Sequence, residues 1–338
     1  MTSLSQLKEK ENQFITAAQQ LKMVKQELMN FIVGQEEVID QVLWSIFSGG
    51  HALLEGLPGL GKTMLVRSIS DCLDLSFNRI QFTPDLMPSD ITGTMILQPG
   101  ADGRQEFVFH EGPLFGNIIL ADEINRATPK TQSSLLEAMA EQTVTVMGST
   151  KQLSKPFFVL ATQNPIDMEG TYPLPEAQMD RFICKIHVGY PTKAELKEIA
   201  LRTTGLKVPK LNSIIGTSDV IAIQQLSKEI LVSDDLLNTA VSIIDATHPA
   251  SADAPERVKQ YVQFGSGPRG LQSLIQMAKT RALFAGRYHI SMGDLKTTAI
   301  PVLRHRLLLN FEGEANDITA DDLISDVLQH AGKDVSQR

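Results

Sequence analysis

Cysteine is nearly absent from this chain. Cys72 and Cys184 are the only two in 338 residues. They lie far apart and outside any CxxC or Cys/His cluster, which excludes a disulfide framework and a zinc site of the usual spacing. A reducing, cytoplasmic setting is the expectation. Basic charge is also short, with 31 Lys and Arg against 39 Asp and Glu and a formal net charge of -8. A protein that bound nucleic acid by neutralising phosphates would need the opposite balance, so nucleic acid is not an expected partner. Long apolar runs are missing: stretches such as FFVLA fall far below the roughly 20 residues of a membrane span. The N-terminal MTSLSQLKEKENQFITAAQQ lacks the apolar segment of a signal peptide. The seven histidines show no HExxH or related spacing and read as structural or surface residues. Repeats and low-complexity tracts are absent as well.

What is present is enough apolar material for two cores, since 42% of the 338 residues are hydrophobic and a chain of this length exceeds what one core usually organises. Residues 4-30 set Leu4, Leu7, Phe14, Ile15, Ala18, Leu21, Val24 and Leu28 near helical spacing, which predicts an amphipathic N-terminal helix. FIVGQEEVIDQVLWSIFSGG reads as a turn and a second helix closed by Gly49 and Gly50. Strand and helix then alternate. HALLEG, NRIQF, NIILA and FFVLAT are short apolar strands; Lys62 to Leu73 and Pro129 to Glu141 are helices, the latter capped by Thr128 with Pro129 at its first position. Such alternation predicts a parallel sheet covered on both faces, with functional loops at the strand C-termini. GTMILQPGADGRQEFVFHEG and TVTVMGSTKQLSKP interrupt it, each placing two strand-like runs around a turn, Pro-Gly-Ala-Asp-Gly in the first and Gly148-Ser149 in the second. Both are expected to be β-hairpin insertions. After Tyr190-Pro191 a capping box at Thr192 and Glu195 opens a run of helices, at about 192-204, 217-230, 233-247, 268-286 and 291-305. The expected boundary is near residue 190, with an α/β domain over 1-190 and an all-α domain over 191-338.

GLPGLGKT, residues 56-63, fits GxxxxGK[ST], follows an expected strand and opens an expected helix, the context a phosphate-binding loop requires. Gly56, Gly59 and Gly61, with Leu57, Pro58 and Leu60 between them, let backbone N–H groups wrap a phosphate chain at a helix N-terminus. Lys62 reaches the β and γ phosphates, and Thr63 offers a hydroxyl to Mg²⁺. IILADE, residues 118-123, is an apolar strand ending in two carboxylates. Beside a phosphate loop, Asp122 would hold the Mg²⁺ shell through water, and Glu123 would polarise the attacking water. ATQNP, residues 161-165, can present Asn164 between Glu123 and the γ-phosphate, where an amide both donates and accepts; capping a Pro turn is the alternative. GSGPRG, residues 265-270, puts Arg269 in the first turn of a helix. The dipole disfavours a cation there unless an anion such as a nucleotide phosphate is close, and a solvated arginine is the other reading. LPEAQMDRF, residues 174-182, runs from a helical first turn at Pro175 and Glu176 into a strand beginning at Phe182. Taken locally, its Asp180 and Arg181 read as a surface ion pair.

Together GLPGLGKT, FHEGPLFGNIILADEINRATPKTQSSLLEAMAEQTVTVMG, PFFVLATQNPIDMEGTYPLPEAQMDRF and GPRG resemble the MoxR-type AAA+ ATPases, over about residues 30 to 310. The resemblance implies an α/β fold, a P-loop parallel sheet flanked by helices with a smaller all-α lid. It also implies a ring, usually a homo-hexamer, with ATP and Mg²⁺ at each subunit interface. Matched by motif, Gly56 to Thr63 become Walker A, Asp122 and Glu123 Walker B, Asn164 sensor 1 and Arg269 sensor 2, while Val33 and Gly34 lie beside the adenine. Arg181 falls at the arginine-finger position, aimed at a nucleotide held by a neighbouring subunit, and Arg126 is a further interface candidate. The hairpins correspond to a helix-2 insert and a pre-sensor-1 hairpin facing the pore. Such proteins are described as chaperone-like, maturing or activating client proteins, often beside a von Willebrand factor A domain partner. The chain ends soon after its helical domain and is expected to be the motor alone. Two rival readings stay open, an ATP-gated scaffold with little turnover and a metal-chelatase-like motor subunit.

Overall fold

A computed structural model of the chain describes residues 4–99, 104–164, 170–204 and 210–335. The centre of the turn expected in the first hairpin, residues 100–103, and Pro165 of ATQNP lie outside the described residues. Helix α1 (Leu4–Phe31) buries Phe14, Ala17, Leu21, Val24 and Leu28, a recurrence every three or four residues that holds one stripe against its neighbours. Ile15 and Ala18, expected on that stripe, sit one position off it: Ile15 is exposed and Ala18 half-buried, and Ala17 takes the contact. Helix α2 (Glu36–Phe47) follows, and the chain turns at Gly49, φ +73°.

The next segment comprises β1 (Ala52–Glu55), α3 (Lys62–Cys72), β2 (Phe77–Gln81), α4 (Pro88–Thr92), the hairpin β3 (Gly93–Pro99) and β4 (Gln105–Glu111), and β5 (Ile118–Asp122). It continues through α5 (Pro129–Glu141), the hairpin β6 (Thr143–Val146) and β7 (Ser149–Gln152), β8 (Phe158–Gln163), α6 (Glu176–Met179) and β9 (Cys184–His187). Five of these strands form one parallel sheet in the order β2-β5-β8-β1-β9. Alternation along each strand gives the sheet two apolar faces. Leu54, Ile118, Leu120 and Leu160 pack toward α1, α2, α3 and the helices that follow β9, in one continuous core. Leu53, Ile119, Ala121, Val159 and Ala161 pack on the other face, with Leu135, Leu136 and Met139 of α5. Strand β5 is buried from Ile118 to Ala121 and only half-buried at Asp122; β8 changes in the same way at Gln163. Parallel pairing gathers these polar ends on a single edge.

Both insertions are antiparallel hairpins. The turn of the second is Met147-Gly148, at φ +47° and +79°, the left-handed pair a two-residue hairpin favours; it lies one residue earlier than expected because Ser149 already belongs to β7. Strand β9 begins two residues after Phe182, whose N–H is tied back to the Met179 carbonyl at 3.0 Å in the turn closing α6. Thr128 occupies the cap position of α5 without capping it: its hydroxyl contacts the Thr131 hydroxyl at 3.4 Å instead. Beyond β9 come α7 (Lys193–Thr204), α8 (Thr217–Glu229), α9 (Asp234–Asp245), α10 (Glu256–Tyr261), α11 (Pro268–Phe284), α12 (Met292–Leu303), α13 (Phe311–Ala315) and α14 (Ala320–Val335). A short ladder joins β10 (Val262–Phe264) to β11 (Leu308–Leu309). The sequence reading missed α10, α13, the ladder and α14, whose Leu323, Ile324 and Val327 are fully buried. The box at the start of α7 is present, with the Glu195 carboxylate accepting from Thr192 N–H at 2.7 Å and from its hydroxyl at 2.8 Å. Among the described residues no helix is long and apolar enough to cross a membrane.

Candidate functional site

The loop Gly56–Gly61 joins the end of β1 to the first turn of α3. Gly61 holds φ +76° at the cap of α3, a left-handed geometry that glycine adopts without steric cost. Gly56 is required for a different reason: a Cβ there would meet the Val188 carbonyl oxygen at 2.8 Å. Lys62 donates from Nζ to the carbonyls of Gly56 at 2.6 Å and Leu57 at 3.3 Å. Burial lowers its pKa from the ordinary lysine value, while the nearby charges of Asp122 and Glu123 work to raise it. Thr63, half-buried, is the next residue of the helix.

The two carboxylates close β5. Thr162 of β8 lies beside them, since Ala121 pairs with Ala161; its hydroxyl donates to Asp122 Oδ1 at 2.6 Å and accepts from the Glu123 N–H at 2.9 Å. On the other side β2 supplies Arg79, donating to Asp122 Oδ2 from Nη2 at 2.6 Å and from Nε at 3.1 Å. Arg79 also donates to Gln81 Oε1 at 2.7 Å, and Gln81 Nε2 donates to Glu123 Oε2 at 2.8 Å. Arg126, in the turn that follows, approaches Glu123 Oε2 at 3.2 Å. Glu123 stands at φ +58°, a conformation that costs a residue with a Cβ about 1–3 kcal/mol and persists only where its surroundings enforce it. Asn164 follows β8 directly and is buried. Because β8 runs between β5 and β1, and Gly56 N–H reaches the Gln163 carbonyl at 3.4 Å, Asn164 falls between the carboxylates and the glycine loop.

The Thr63 hydroxyl and the Asp122 carboxylate are hard oxygen donors of the kind Mg²⁺ takes. Two are too few for a dedicated cage, so the ion would be completed by substrate phosphates and water. Both Asp122 oxygens already accept protein hydrogen bonds, which suits contact through water. On these grounds the residues fit the ion.

A cavity of about 560 Å³ opens beside the glycine loop, lined by Val33, Pro58, Leu60, Tyr190, Leu196 and Ile199 among others. Its apolar walls suit a flat heterocycle. Val33 belongs to the lining and Gly34 stands behind it. At φ +67° a Cβ on Gly34 would meet Glu195 Oε1 at 2.3 Å, so the bend after α1 packs on the capped start of α7. Gln35 Nε2 ties the same bend to the Leu60 carbonyl at 3.1 Å.

Arg181 and Arg269 are elsewhere. Both line a separate cleft of about 310 Å³ with Gly50, Asp180, Ser273 and Gln276. Gly50 precedes β1 and Arg181 precedes β9, and these strands pair in parallel from Ala52 with Cys184 to Glu55 with His187. The cleft is therefore at the N-terminal edge of the sheet, and the loop, Asp122, Glu123 and Asn164 are at the C-terminal edge. Arg181 is exposed and donates to the Leu136 carbonyl at 2.9 Å. The local ion pair does not form: Asp180 turns to Arg306, Nε to Oδ1 at 2.7 Å, and to Arg269 at 3.8 Å. Arg79, Gln81, Thr162 and Arg306 escaped the sequence reading. Arg79 and Gln81 do share one face of NRIQF, but only the strand order shows which carboxylates they meet.

The family described as ATPase family associated with various cellular activities (AAA) matches residues 51–184, and the AAA lid domain matches residues 254–327. Chaperone MoxR1 of Mycobacterium tuberculosis is 42% identical over 303 residues, 90% of this chain and 79% of that protein. The uncharacterized protein YeaC of Bacillus subtilis is 41% identical, over 88% of this chain and 89% of its own length. A crystal structure of a Cytophaga hutchinsonii protein, provisionally named an ATPase, superposes with a TM-score of 0.90 at 40% identity, covering 96% of this chain and 98% of that one.

Proposed function

The chain belongs to the MoxR family of AAA+ ATPases, and from that premise we propose that it works as a ring, a homo-hexamer, in which each ATP is bound by one copy and hydrolysed with help from the next. The observation that carries this reading is the separation of the two edges: the phosphate loop and carboxylates stand at one end of the strands, Arg181 and Arg269 at the other. A second copy stacked head to tail would bring its exposed arginines to the nucleotide of the first. The change near residue 190 is then the boundary between nucleotide domain and lid. The cavity at Val33, Tyr190 and Leu196 takes the base, wedged between glycine loop and α7, so occupancy bears on how the lid sits.

In this mechanism the loop amides and Lys62 hold the β and γ phosphates. Glu123 accepts a hydrogen bond from the attacking water and polarises it, and the Asn164 amide orients that water against the γ-phosphate. Thr63 and, through water, Asp122 would hold Mg²⁺, which when bound would neutralise charge on the phosphates. Arg181, aided by Arg269, neutralises charge that develops on the transferring group, an effect worth about 10³ to 10⁵ in rate for an arginine finger.

The relative named Chaperone MoxR1 supports a chaperone-like role, in which turnover remodels or matures a partner protein in the cytoplasm, with a von Willebrand factor A domain protein as the adaptor. Exposed Leu97 and Phe107 on the first hairpin and Met147 on the second offer apolar contacts for such a client. Steady-state hydrolysis tests the motor reading: Glu123→Gln should still bind ATP and lose its turnover. A client response that survives intact in Glu123→Gln would favour the ATP-gated scaffold instead.

A further inference from the structure

Arg306, the third residue beyond the end of α12, is an arginine with a side chain only 3% exposed. A buried guanidinium is tolerated when its charge is paired and its N–H groups are all used. Arg306 meets that condition in an unusual pattern. Besides its ion pair with Asp180, it donates to the carbonyls of Asp180 at 3.2 Å, Phe182 at 2.8 Å and Ile183 at 3.2 Å. These bonds straddle Arg181, whose own guanidinium lies exposed and donates to the Leu136 carbonyl at 2.9 Å. Two further bonds go to the Val302 carbonyl of α12 and, at 3.2 Å, to the Ser273 hydroxyl on α11, one helical turn beyond Arg269. The stem passes over Gly270, where a Cβ would meet Arg306 Cδ at 3.2 Å. The two preceding residues add to the clasp: His305 bonds the Phe182 carbonyl at 3.1 Å and Arg304 that of Lys185 at 3.4 Å.

We propose that Arg306 is the positioning residue for Arg181 and Arg269, locking the corner that carries the first to the helix that carries the second, so that both guanidiniums reach a neighbouring copy's phosphates as one unit. The proposal rests on the reading that Arg181 acts on a second copy. Arg181 and Arg269 are both exposed, and long exposed side chains are placed no better than the backbone they hang from. The five-donor fork of arginine fixes that backbone on both sides of residue 181; a lysine can keep the charge at Asp180 but not the fork. A further consequence is that any shift of α11 with the lid carries Arg181 along, linking one copy's lid to hydrolysis in the next.

The test uses the full chain with Arg306→Lys and Asp180→Asn, scored for kcat, KM for ATP, affinity for a fluorescent ATP analogue and mass by light scattering. The expected result is a kcat lower by about tenfold to a hundredfold, the penalty of misplacing a reacting group by about 1 Å. Analogue affinity should stay within about twofold, because the variant's own phosphate loop is untouched. Mixing Arg306→Lys with Lys62→Ala, which keeps an intact corner, should restore hydrolysis as it does for Arg181→Ala. A wild-type kcat would overturn the proposal, and so would a loss that mixing fails to restore while Arg181→Ala is restored in parallel. If Arg181→Ala itself is not restored, the reading beneath the proposal has failed and takes the proposal with it. Should Arg306→Lys lose its cooperative melt, Asp180→Asn carries the same expectation and the same refutation, since it removes the charge that pairs the buried Arg306 and faces Arg269 while altering only a part-exposed side chain.

Discussion

Thr162→Val is the substitution that best separates the carboxylate pair's geometry from its chemistry. The two side chains have nearly the same shape, and Thr162 is 1% exposed, so the change removes one hydroxyl and little else. That hydroxyl makes a bond to ionised Asp122 and takes one from the Glu123 N–H. A hydrogen bond to a charged partner contributes about 1.5–3 kcal/mol and a neutral one about 0.5–1.5 kcal/mol, whereas the added methyl returns about 0.8 kcal/mol. The net destabilisation should be about 2 kcal/mol, a fall of several degrees in Tm. The effect on turnover should be larger than that implies. Glu123 is held at φ +58°, and the bond from its N–H to Thr162 is one of the restraints that keep it there; once released, its carboxylate swings away from the attacking water. A kcat lower by about tenfold to a hundredfold is expected, with unchanged affinity for an ATP analogue. Thr162→Ser, which keeps the hydroxyl, should stay near wild type. If Thr162→Val loses stability but keeps kcat within about twofold, or if Thr162→Ser is equally impaired, the link between this hydroxyl and the position of Glu123 is wrong.

Three further outcomes are expected. His51 is buried with Nδ1 accepting from Val159 N–H at 3.0 Å, so the neutral ring carries its proton on Nε2 and donates to the Met139 carbonyl at 3.1 Å. Burial pushes its pKa down from 6.5 to about 4, against the raising effect of the Met139 bond. The unfolded chain then takes up this proton first as pH falls, so stability is full above about pH 6.5 and declines toward pH 4, by up to about 3 kcal/mol. Urea midpoints measured across that range should show the slope, and His51→Asn should reduce it; His305, also pushed well below 6.5 by burial, adds to the same slope. Leu196→Asp, on the wall of the base cavity, should raise KM for ATP about tenfold while leaving kcat alone, a loss of about 1.4 kcal/mol of binding; an unchanged KM would remove the base from that cavity. Asp294 is fully buried between Arg281 and Arg287, and breaking a buried ion pair on one side costs about 3–5 kcal/mol. Asp294→Ala should therefore melt well below the wild type, and a shift of under one degree would show that the cluster is structurally idle.

The glycine loop between β1 and α3 and the Asp122-Glu123 end of β5 were legible in the sequence because each is a local pattern: glycines at fixed offsets before a lysine, and an apolar strand that ends in acid. Their elements were legible for the same reason, since β1, β5 and β8 are short apolar runs that each end in polar residues. What escaped depends on contacts between distant segments. Arg79 lies 43 residues from Asp122, and Arg306 is separated from Asp180 by 126, and no spacing rule joins such pairs before the strand order and the packing of α12 are known. The Asp180-Arg181 pair shows the converse error. Adjacent opposite charges suggested a local bond, yet the buried Arg306 claims the carboxylate and leaves Arg181 facing outward. Helix α14 was missed although Leu323, Ile324, Val327 and Leu328 recur at helical spacing, the pattern being short and interleaved with Asp321, Asp322 and Asp326.

The account's central claim is that one copy's nucleotide is hydrolysed with an arginine from the next, and a mixing experiment tests it most directly. Arg181→Ala keeps an intact phosphate loop and Lys62→Ala an intact Arg181, so each alone should turn over ATP poorly. In an equal mixture that exchanges subunits at random, about a quarter of head-to-tail interfaces pair a sound loop with a sound arginine, and hydrolysis should return to roughly that fraction of the wild-type rate. No recovery, with both variants shown by light scattering to assemble together and Arg181→Ala shown to bind ATP, would contradict the claim.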